Sequence, residues 1–143
     1  MFVGQYTHNL DNKGRLAVPA KYRSELKKAI VTKGFDDCLF LYTKKDWEPV
    51  AKKWAELSVS KSNNRAIARF MLASATEVEL DKQGRIVLPE YLRLFAGLSK
   101  SAIVAGLYNR LEIWDEERWN KYQTETEKHT NEIAEALSEV NVE

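Results

Sequence analysis

The sequence predicts an α+β domain with internal pseudo-symmetry, built from two tandem copies of one strand, strand, helix, strand, strand unit. A six-residue motif occurs twice, seventy positions apart: Leu10-Asp11-Asn12-Lys13-Gly14-Arg15 and Leu80-Asp81-Lys82-Gln83-Gly84-Arg85. Pro19 and Arg23 recur at the same offset as Pro89 and Arg93. Duplicated units of this size usually cannot bury an apolar face alone, so we expect both copies to build one core.

The two copies fall out of step further along the chain. At an offset of seventy-two, a second set of residues corresponds: Gly34 with Gly106, Leu39 with Leu111, and Trp47 with Trp119. We therefore expect two inserted residues in the second copy, in the loop before Ser101.

Each copy opens with a predicted β-hairpin. Gln5 to Leu10 alternates in the manner of a strand, Asp11 to Gly14 carries turn residues, and Arg15 to Val18 resumes a strand. Gly14 and its equivalent Gly84 suit a loop position with positive φ, where a side chain would be strained.

A helix is expected after each hairpin. Pro19 and Pro89 suit a first helical turn, where the missing N–H costs nothing. In the first copy, residues 22–29 carry apolar side chains at helical spacing. The helix of the second copy is shorter and is expected to end at Gly97.

Two more strands complete each copy, over residues 30–32 and 38–42 in the first and 102–105 and 110–114 in the second. Thr43 and Asp115 then occupy matching positions as helix N-caps. The helix after Thr43 has an apolar face, which is typical of core packing: Trp47, Val50, Ala51, Trp54 and Leu57.

The chain therefore divides into four predicted segments. Residues 5–47 form the first repeat, residues 48–75 form connecting helices that include a helix over 62–74, and residues 76–119 form the second repeat. Residues 120–143 form an acidic C-terminal helix with a weak apolar stripe, and its last three residues are expected to fray.

Composition places the chain among ordinary globular domains. It has 143 residues, of which 44% are hydrophobic and 30% charged. No apolar run reaches the length of a membrane span and the amino terminus does not resemble a signal peptide, so we expect a cytosolic protein without a membrane partner. The single cysteine, Cys38, lies in an apolar stretch and excludes an internal disulfide.

Charge is unevenly distributed along the chain. Residues 1–70 contain 14 Lys and Arg against 7 Asp and Glu, whereas residues 71–143 contain 8 against 14. The halves thus carry +7 and −6, which suggests an acidic partner such as nucleic acid for the first half, or head-to-tail association. A solvated surface explains the same charges equally well.

The repeated Asp and Arg residues admit two roles. In the structural interpretation, each Asp accepts backbone N–H groups in its turn and pairs with its Arg. In the functional interpretation, Arg15 and Arg85 project from rigid strand ends toward phosphate or a guanine edge. The basic cluster around the first motif favours a surface for an acidic partner: Lys13, Arg15, Lys21 and Arg23.

Nearly the whole chain resembles the MraZ family of bacterial transcriptional regulators, whose members carry two SpoVT/AbrB-type repeats, each with an Asp-x-x-x-Arg motif. Three stretches carry the resemblance besides the opening Met1-Phe2-x-Gly4-x-Tyr6: Asp11-x-Lys13-Gly14-Arg15, Pro19-Ala20-Lys21-Tyr22-Arg23, and Ala75-Thr76-Glu77-x-Glu79-Leu80-Asp81-Lys82-Gln83-Gly84-Arg85. At the motif positions the chain keeps the family pattern.

The resemblance implies an AbrB-like swapped-hairpin β-barrel made from both repeats and flanked by helices. It further implies a closed ring of identical subunits that binds double-stranded DNA at direct repeats in the promoter of the division and cell-wall gene cluster, commonly as a repressor located at the nucleoid. The DNA-binding candidates are Lys13, Arg15, Lys21, Arg23, Lys82 and Arg85. The residues expected to shape the two turns are Asp11, Gly14, Asp81 and Gly84.

Two other classes of protein agree less well with the sequence. An enzyme finds little support, because His8 and His129 lack metal-ligand spacing and no nucleophile motif or P-loop occurs. We therefore predict no catalytic residue, no metal and no cofactor. An antitoxin-type interaction module would share the AbrB fold and bind a protein through its tail, but such antitoxins normally carry one repeat per chain.

Overall fold

The computed structural model of the chain describes the backbone of residues 1–141 and the side chains of residues 1–138. The strands are β1 Phe2–Asn9, β2 Arg15–Ala17, β3 Lys28–Lys33, β4 Leu39–Thr43, β5 Thr76–Glu79, β6 Arg85–Val87, β7 Ser101–Tyr108 and β8 Leu111–Asp115. The α-helices are α1 Lys44–Ala55, α2 Ser62–Ala68, α3 Glu90–Ala96, α4 Glu116–Lys128 and α5 Thr130–Asn141. The predicted α+β class is confirmed.

Six strands form one antiparallel sheet in the order β1-β7-β8-β4-β3-β5, while β2 and β6 pair separately in a two-stranded ribbon. We call this pair the β2–β6 ribbon. The strand pairings among residues 1–141 do not close into a barrel.

A local twofold axis relates the two copies. In the β2–β6 ribbon Leu16 lies opposite Ile86, and where β4 meets β8, Phe40 lies opposite Glu112. Each of these pairs joins equivalent positions of the two repeats, so the axis passes through both pairs. The duplication seen in the sequence is thus a symmetry of one shared core.

The predicted hairpins are wrong in their pairing, although their turns form. β1 and β2 share only a single bridge, between Leu10 and Leu16. Beyond the turn β1 pairs with β7, and β2 pairs with β6 of the other copy. The exchange lets Leu16 and Ile86, with 1% and 0% exposure, share one buried position between the copies.

The long helix predicted after Pro19 is also wrong. Residues 20–22 form a single 3₁₀ turn, and Ala29 lies in β3, where it is fully buried opposite Val78 of β5. The apolar side chains at helical spacing belong to two different elements, the 3₁₀ turn and β3. Pairing of β3 with β5 outweighs the weak local preference for a helix.

The insertion in the second copy is three residues long before β7, not two. Asn9 lies opposite Ser101, and the equivalent Glu79 lies opposite Lys28, so Ser101 takes the place of Lys28. The extra residues belong to the segment containing α3. Five residues separate the paired Lys33 and Leu39, whereas four separate the paired Gly106 and Leu111, and this difference of one restores the offset of seventy-two.

The six-stranded sheet is buried on both faces. One face, with the ribbon and α3, forms a core that includes Leu26, Leu41, Leu92 and Ile113. The other face carries an aromatic layer under the helices, in which Trp47 and Trp54 of α1 and Trp119 of α4 pack against buried strand residues. Both faces of the sheet are therefore covered, and the ribbon covers part of one of them through the buried Leu16 and Ile86.

The helices begin largely where the sequence predicts. Thr43 Oγ1 accepts the Asp46 N–H at 3.0 Å, and the Asp115 carboxylate accepts the Arg118 N–H at 3.2 Å, so both predicted N-caps are confirmed. The helix predicted over 62–74 is instead α2 followed by a π-helical turn at Arg69–Ala73.

The acidic C-terminal segment forms two helices rather than one. α4 ends and α5 begins around His129, whose φ of −121° and ψ of 16° are not helical. Fraying is expected for residues 141–143. Asn141 is the last residue of α5, and residues 142 and 143 lie outside the described part of the chain.

Candidate nucleic-acid interface

The first motif folds into a turn held by one carboxylate. Asp11 Oδ1 accepts the Lys13 N–H at 3.0 Å and the Arg15 N–H at 2.8 Å, while its Oδ2 accepts Arg15 Nε–H. The Gly14 N–H donates to the Asp11 carbonyl at 3.1 Å. The side chain of Asp11 thus replaces the backbone partners that a tight turn lacks.

The second motif repeats this arrangement. Asp81 Oδ1 accepts the N–H groups of Gln83 at 2.8 Å and Arg85 at 2.9 Å, and Oδ2 accepts Arg85 Nε–H at 2.9 Å. The side chains of Arg15 and Arg85 are 31% and 29% exposed. Both arginines are therefore oriented by their own turn while still reaching solvent.

These contacts lower the pKa of both turn carboxyls. The Arg15 backbone N–H has the largest effect on the pKa of Asp11, and the Arg85 backbone N–H has the largest effect on that of Asp81. Both carboxylates are consequently ionised at neutral pH, and each Asp–Arg pair is held as a charge-assisted hydrogen bond.

Each turn is also held by an arginine of the opposite repeat. Gly14 and Gly84 have φ of 80° and 76°. A Cβ added at Gly14 would lie 2.7 Å from Arg93 Nε, and one added at Gly84 would overlap the Arg23 guanidinium. Positive φ and close approach both demand glycine at these two positions.

Backbone hydrogen bonds also connect the two repeats at these turns. The Val18 N–H donates to the Gly84 carbonyl at 3.0 Å, and the Leu88 N–H donates to the Gly14 carbonyl at 2.8 Å. Arg23 Nε–H in turn donates to the Val18 carbonyl at 3.0 Å. The two turns are thus joined by hydrogen bonds across the ribbon.

The outward face of the β2–β6 ribbon carries both motif arginines. Arg15 lies opposite Val87 and Ala17 lies opposite Arg85, whereas the intervening Leu16 and Ile86 point into the core. Val87 is 55% exposed, which is unusual for an aliphatic strand residue. Side chains alternate between the two faces of a strand, so the sequence would have placed Val87 on the outward face if the pairing of β2 with β6 had been known.

The predicted lysines surround this face in different environments. Lys13 and Lys82 are exposed beside the two arginines in their turns. Lys21 Nζ lies 5.3 Å from the ring centre of Tyr6 and 5.1 Å from that of Tyr22. Donation of hydrogen bonds by the Lys21 ammonium to the hydroxyl oxygens of Tyr6 and Tyr22 raises the pKa of Lys21.

An open cleft of about 530 Å³ lies beside the second turn. It is lined mainly by charged residues from both repeats: Arg23, Ser24, Lys27, Glu79, Asp81 and Lys82. The structure therefore brings Arg23 and Lys82 to one cleft, and it adds Lys27, which the motif-based prediction missed because Lys27 lies outside both motifs.

The other polar candidates in the sequence do not form a reactive centre. Cys38, which lies in an apolar stretch of the sequence, is fully buried, and burial raises the pKa of its thiol. Among the described residues there is no group of three or more His, Cys, Asp or Glu side chains that could hold a metal ion. Nor does any helix in the described part of the chain have the length and apolarity to cross a membrane.

Fold and turns together define a duplicated α+β protein with two Asp-x-x-x-Arg turns on a shared ribbon. A family model described as "MraZ protein, putative antitoxin-like" matches residues 1–70 and again residues 71–140. The chain belongs to the MraZ family, and the two repeats predicted from its motifs are confirmed.

Named relatives match along nearly their whole length. "Transcriptional regulator MraZ" of Halothermothrix orenii is 44% identical over 99% of this chain and 100% of the relative. The proteins of that name from Pediococcus pentosaceus and Limosilactobacillus reuteri are 46% and 47% identical, each over 96% of this chain and over 96% and 98% of the relative.

Proposed function

We propose that this protein is a sequence-specific DNA-binding transcriptional regulator that reads DNA with the β2–β6 ribbon. The observation that carries the proposal is the outward face of the ribbon, where Arg15 and Arg85 lie on opposite strands and are each oriented by an ionised Asp. A two-stranded β-ribbon fits the major groove of B-form DNA.

The geometry of the Asp–Arg pairs suits this role. Within the described residues, the hydrogen bonds found for the side chains of Arg15 and Arg85 use Nε–H only. The guanidinium of each still has four N–H groups on its Nη atoms, the fork that pairs with guanine O6 and N7. Orientation by Asp reduces the rotamer entropy that binding would otherwise cost.

The remaining candidate residues would contact phosphates of the DNA backbone. Lys13 and Lys82 are exposed within the turns and would neutralise the backbone on either side of the groove. Lys21, held against two tyrosine rings, supplies a third cation. Arg23 supports the Gly84 turn through its contact with that glycine, and its free N–H groups reach phosphate from the adjoining cleft.

A single ribbon would bind DNA weakly, so we further propose multivalent binding. Family membership supports a closed ring of identical subunits, each with AbrB-like hairpin strands exchanged between its two repeats, that engages direct repeats about ten base pairs apart in the promoter of the division and cell-wall gene cluster. Linked weak contacts then sum to useful affinity. The protein would act there as a repressor, in the cytoplasm at the nucleoid, with neither a cofactor nor a catalytic step.

The proposal predicts a dependence on DNA phase. The protein should bind the region upstream of its own gene more tightly than a scrambled DNA of equal length, and moving one repeat by half a helical turn should weaken binding by tenfold or more, since the ring subunits face one side of the DNA. Titration by fluorescence anisotropy at several salt concentrations measures both. Equal, purely salt-driven binding to all three DNAs would refute sequence recognition.

Val87 should contribute a specific apolar contact. Its exposed side chain lies opposite Arg15 on the ribbon face and suits the C5-methyl group of thymine. Replacing one thymine of the repeat by deoxyuridine should weaken binding of the wild-type protein by about fourfold, as expected for one buried methyl group. The Val87→Ala variant should bind the thymine and deoxyuridine DNAs with equal affinity.

A thymine-to-deoxyuridine change outside the repeats provides the control for this measurement and should affect neither protein. If every thymine of the repeat tolerates the change in the wild type, Val87 does not read a methyl group. Tight binding to the promoter would in that case still support the wider proposal.

A further inference from the structure

The described side chains of the last helix are exposed, yet some of them are apolar. Every described side chain of α5, from residue 130 to residue 138, is exposed. Ile133 and Leu137 are 48% and 57% exposed and lie four residues apart, so they share one face of the helix. An amphipathic helix whose apolar side chains are exposed in its own chain is a typical ligand for an apolar groove.

The same chain has an open apolar groove on another surface. One hollow of about 420 Å³ is lined by Phe35, Asn63, Ala66, Ile67 and Phe70, and a second of about 320 Å³ is lined by Val50, Lys53, Trp54 and Leu57. Phe35 joins them, because its ring lies 6.2 Å from that of Phe70 and 6.3 Å from that of Trp54. We call this surface the α1–α2 groove.

The charges of the helix and the groove are complementary. Residues 130–141 contain three Glu and no Lys or Arg, whereas residues 44–69, which include α1, α2 and the loop between them, contain 7 Lys and Arg against 3 Asp and Glu. Lys33 also holds its Nζ 5.6 Å from the centre of the Phe70 ring at the groove. An acidic helix would therefore meet a basic rim, which favours this pairing over like-charged alternatives.

We propose that α5 of one subunit docks in the α1–α2 groove of a second copy of this chain, with Ile133 and Leu137 as its anchors. The contact joins two different surfaces, so it is head-to-tail and continues until a ring closes. The inference rests on the proposed homo-oligomer and assigns its interface. It also explains why the two halves of the chain carry opposite charge.

A matched pair of charge insertions tests the interface. Ile133→Asp places a carboxylate among the anchors, and Asn131→Asp places the same charge about 200° around the helix, on its polar side. Ile133→Asp should raise the dissociation constant for assembly by tenfold or more, measured by light scattering over a dilution series, whereas Asn131→Asp should assemble like the wild type. Unchanged assembly of Ile133→Asp would overturn the inference.

Disulfide trapping identifies the groove itself. Chains carrying Leu137→Cys and chains carrying Ala66→Cys are purified separately, mixed and oxidised; Cys38 is fully buried and does not interfere. A crosslink between the two chains should accumulate, but not when Asn131→Cys replaces Leu137→Cys. Equal crosslinking of both pairs, or crosslinking only when both cysteines are in one chain, would refute docking between copies.

The two proposals can fail separately. If the wild-type protein assembles and binds its promoter while Ile133→Asp does the same, only the assignment of the interface is wrong. A wild-type protein that remains monomeric at all concentrations would contradict both the ring and the α5 interface.

Discussion

Arg15→Ala is expected to abolish tight, sequence-preferring DNA binding while leaving the fold and the assembly intact. Arg15 lies on the outward face of the ribbon, and the hydrogen bond from its Nε–H to Asp11 holds it in place. A paired contact from arginine to guanine contributes about 1 to 3 kcal/mol, and a ring would lose this contribution in every engaged subunit. The loss against the promoter should therefore exceed a hundredfold.

Two control variants separate the recognition of bases from nonspecific binding through positive charge. Arg15→Lys keeps the positive charge but not the planar fork, so it should retain salt-driven binding to any DNA and lose preference for the promoter. Lys13→Ala, in the same turn, should weaken binding to promoter and scrambled DNA alike and reduce the slope of log affinity against log salt.

The competing interpretation is that Arg15 serves only to hold its turn. In that case Arg15→Ala would lower the urea midpoint and disturb assembly to the same degree that it weakens DNA binding. Urea unfolding and light scattering on the same preparation distinguish the cases. A variant that folds, assembles and still prefers the promoter would remove Arg15 from the reading surface.

Gly84→Ala should destabilise the protein by about 2 to 4 kcal/mol. Its φ of 76° costs a residue with a Cβ about 1 to 2 kcal/mol. The new Cβ would also overlap the Arg23 guanidinium, whose Nε–H donates to the Val18 carbonyl and braces the ribbon. The clash must displace either this bracing arginine or the turn.

Urea unfolding at one fixed protein concentration measures this effect, since assembly also contributes to stability. Gln83→Ala is the matched control, because Gln83 is exposed in the same turn, and it should change the unfolding free energy by less than about 0.5 kcal/mol. In a double-mutant cycle, Arg23→Ala combined with Gly84→Ala should relieve the clash but not the φ cost. Full additivity of the two changes would show that Arg23 does not press on Gly84.

Local features of the fold were predictable where a few neighbouring residues decide them. The Asp and Gly of each motif dictate the turns, Thr43 and Asp115 cap their helices, and Gly97 ends α3 in a left-handed conformation with φ of 63°. These features involve contacts within four residues along the chain, so composition and spacing suffice to predict them.

Strand partners were not predictable in this way. The sequence around Leu16 is compatible with a hairpin to β1, yet β2 pairs with β6, seventy residues away, because that exchange buries Leu16 and Ile86 together. For the same reason Ala29 lies in a strand rather than a helix. Such choices depend on the surface buried between distant segments, which local propensity does not report.

The amino-acid sequence was enough to predict that two equivalent units share one core and that each has an Asp and an Arg at a turn with a glycine of positive φ. The complete fold was needed to show that both arginines lie on one ribbon with Val87 opposite Arg15, that Arg23 and Arg93 approach the turns of the opposite repeat, and that the described side chains of α5 are exposed. The physical reason is that hydrogen bonding within a turn is local, whereas strand pairing and burial join residues that only the complete fold brings together.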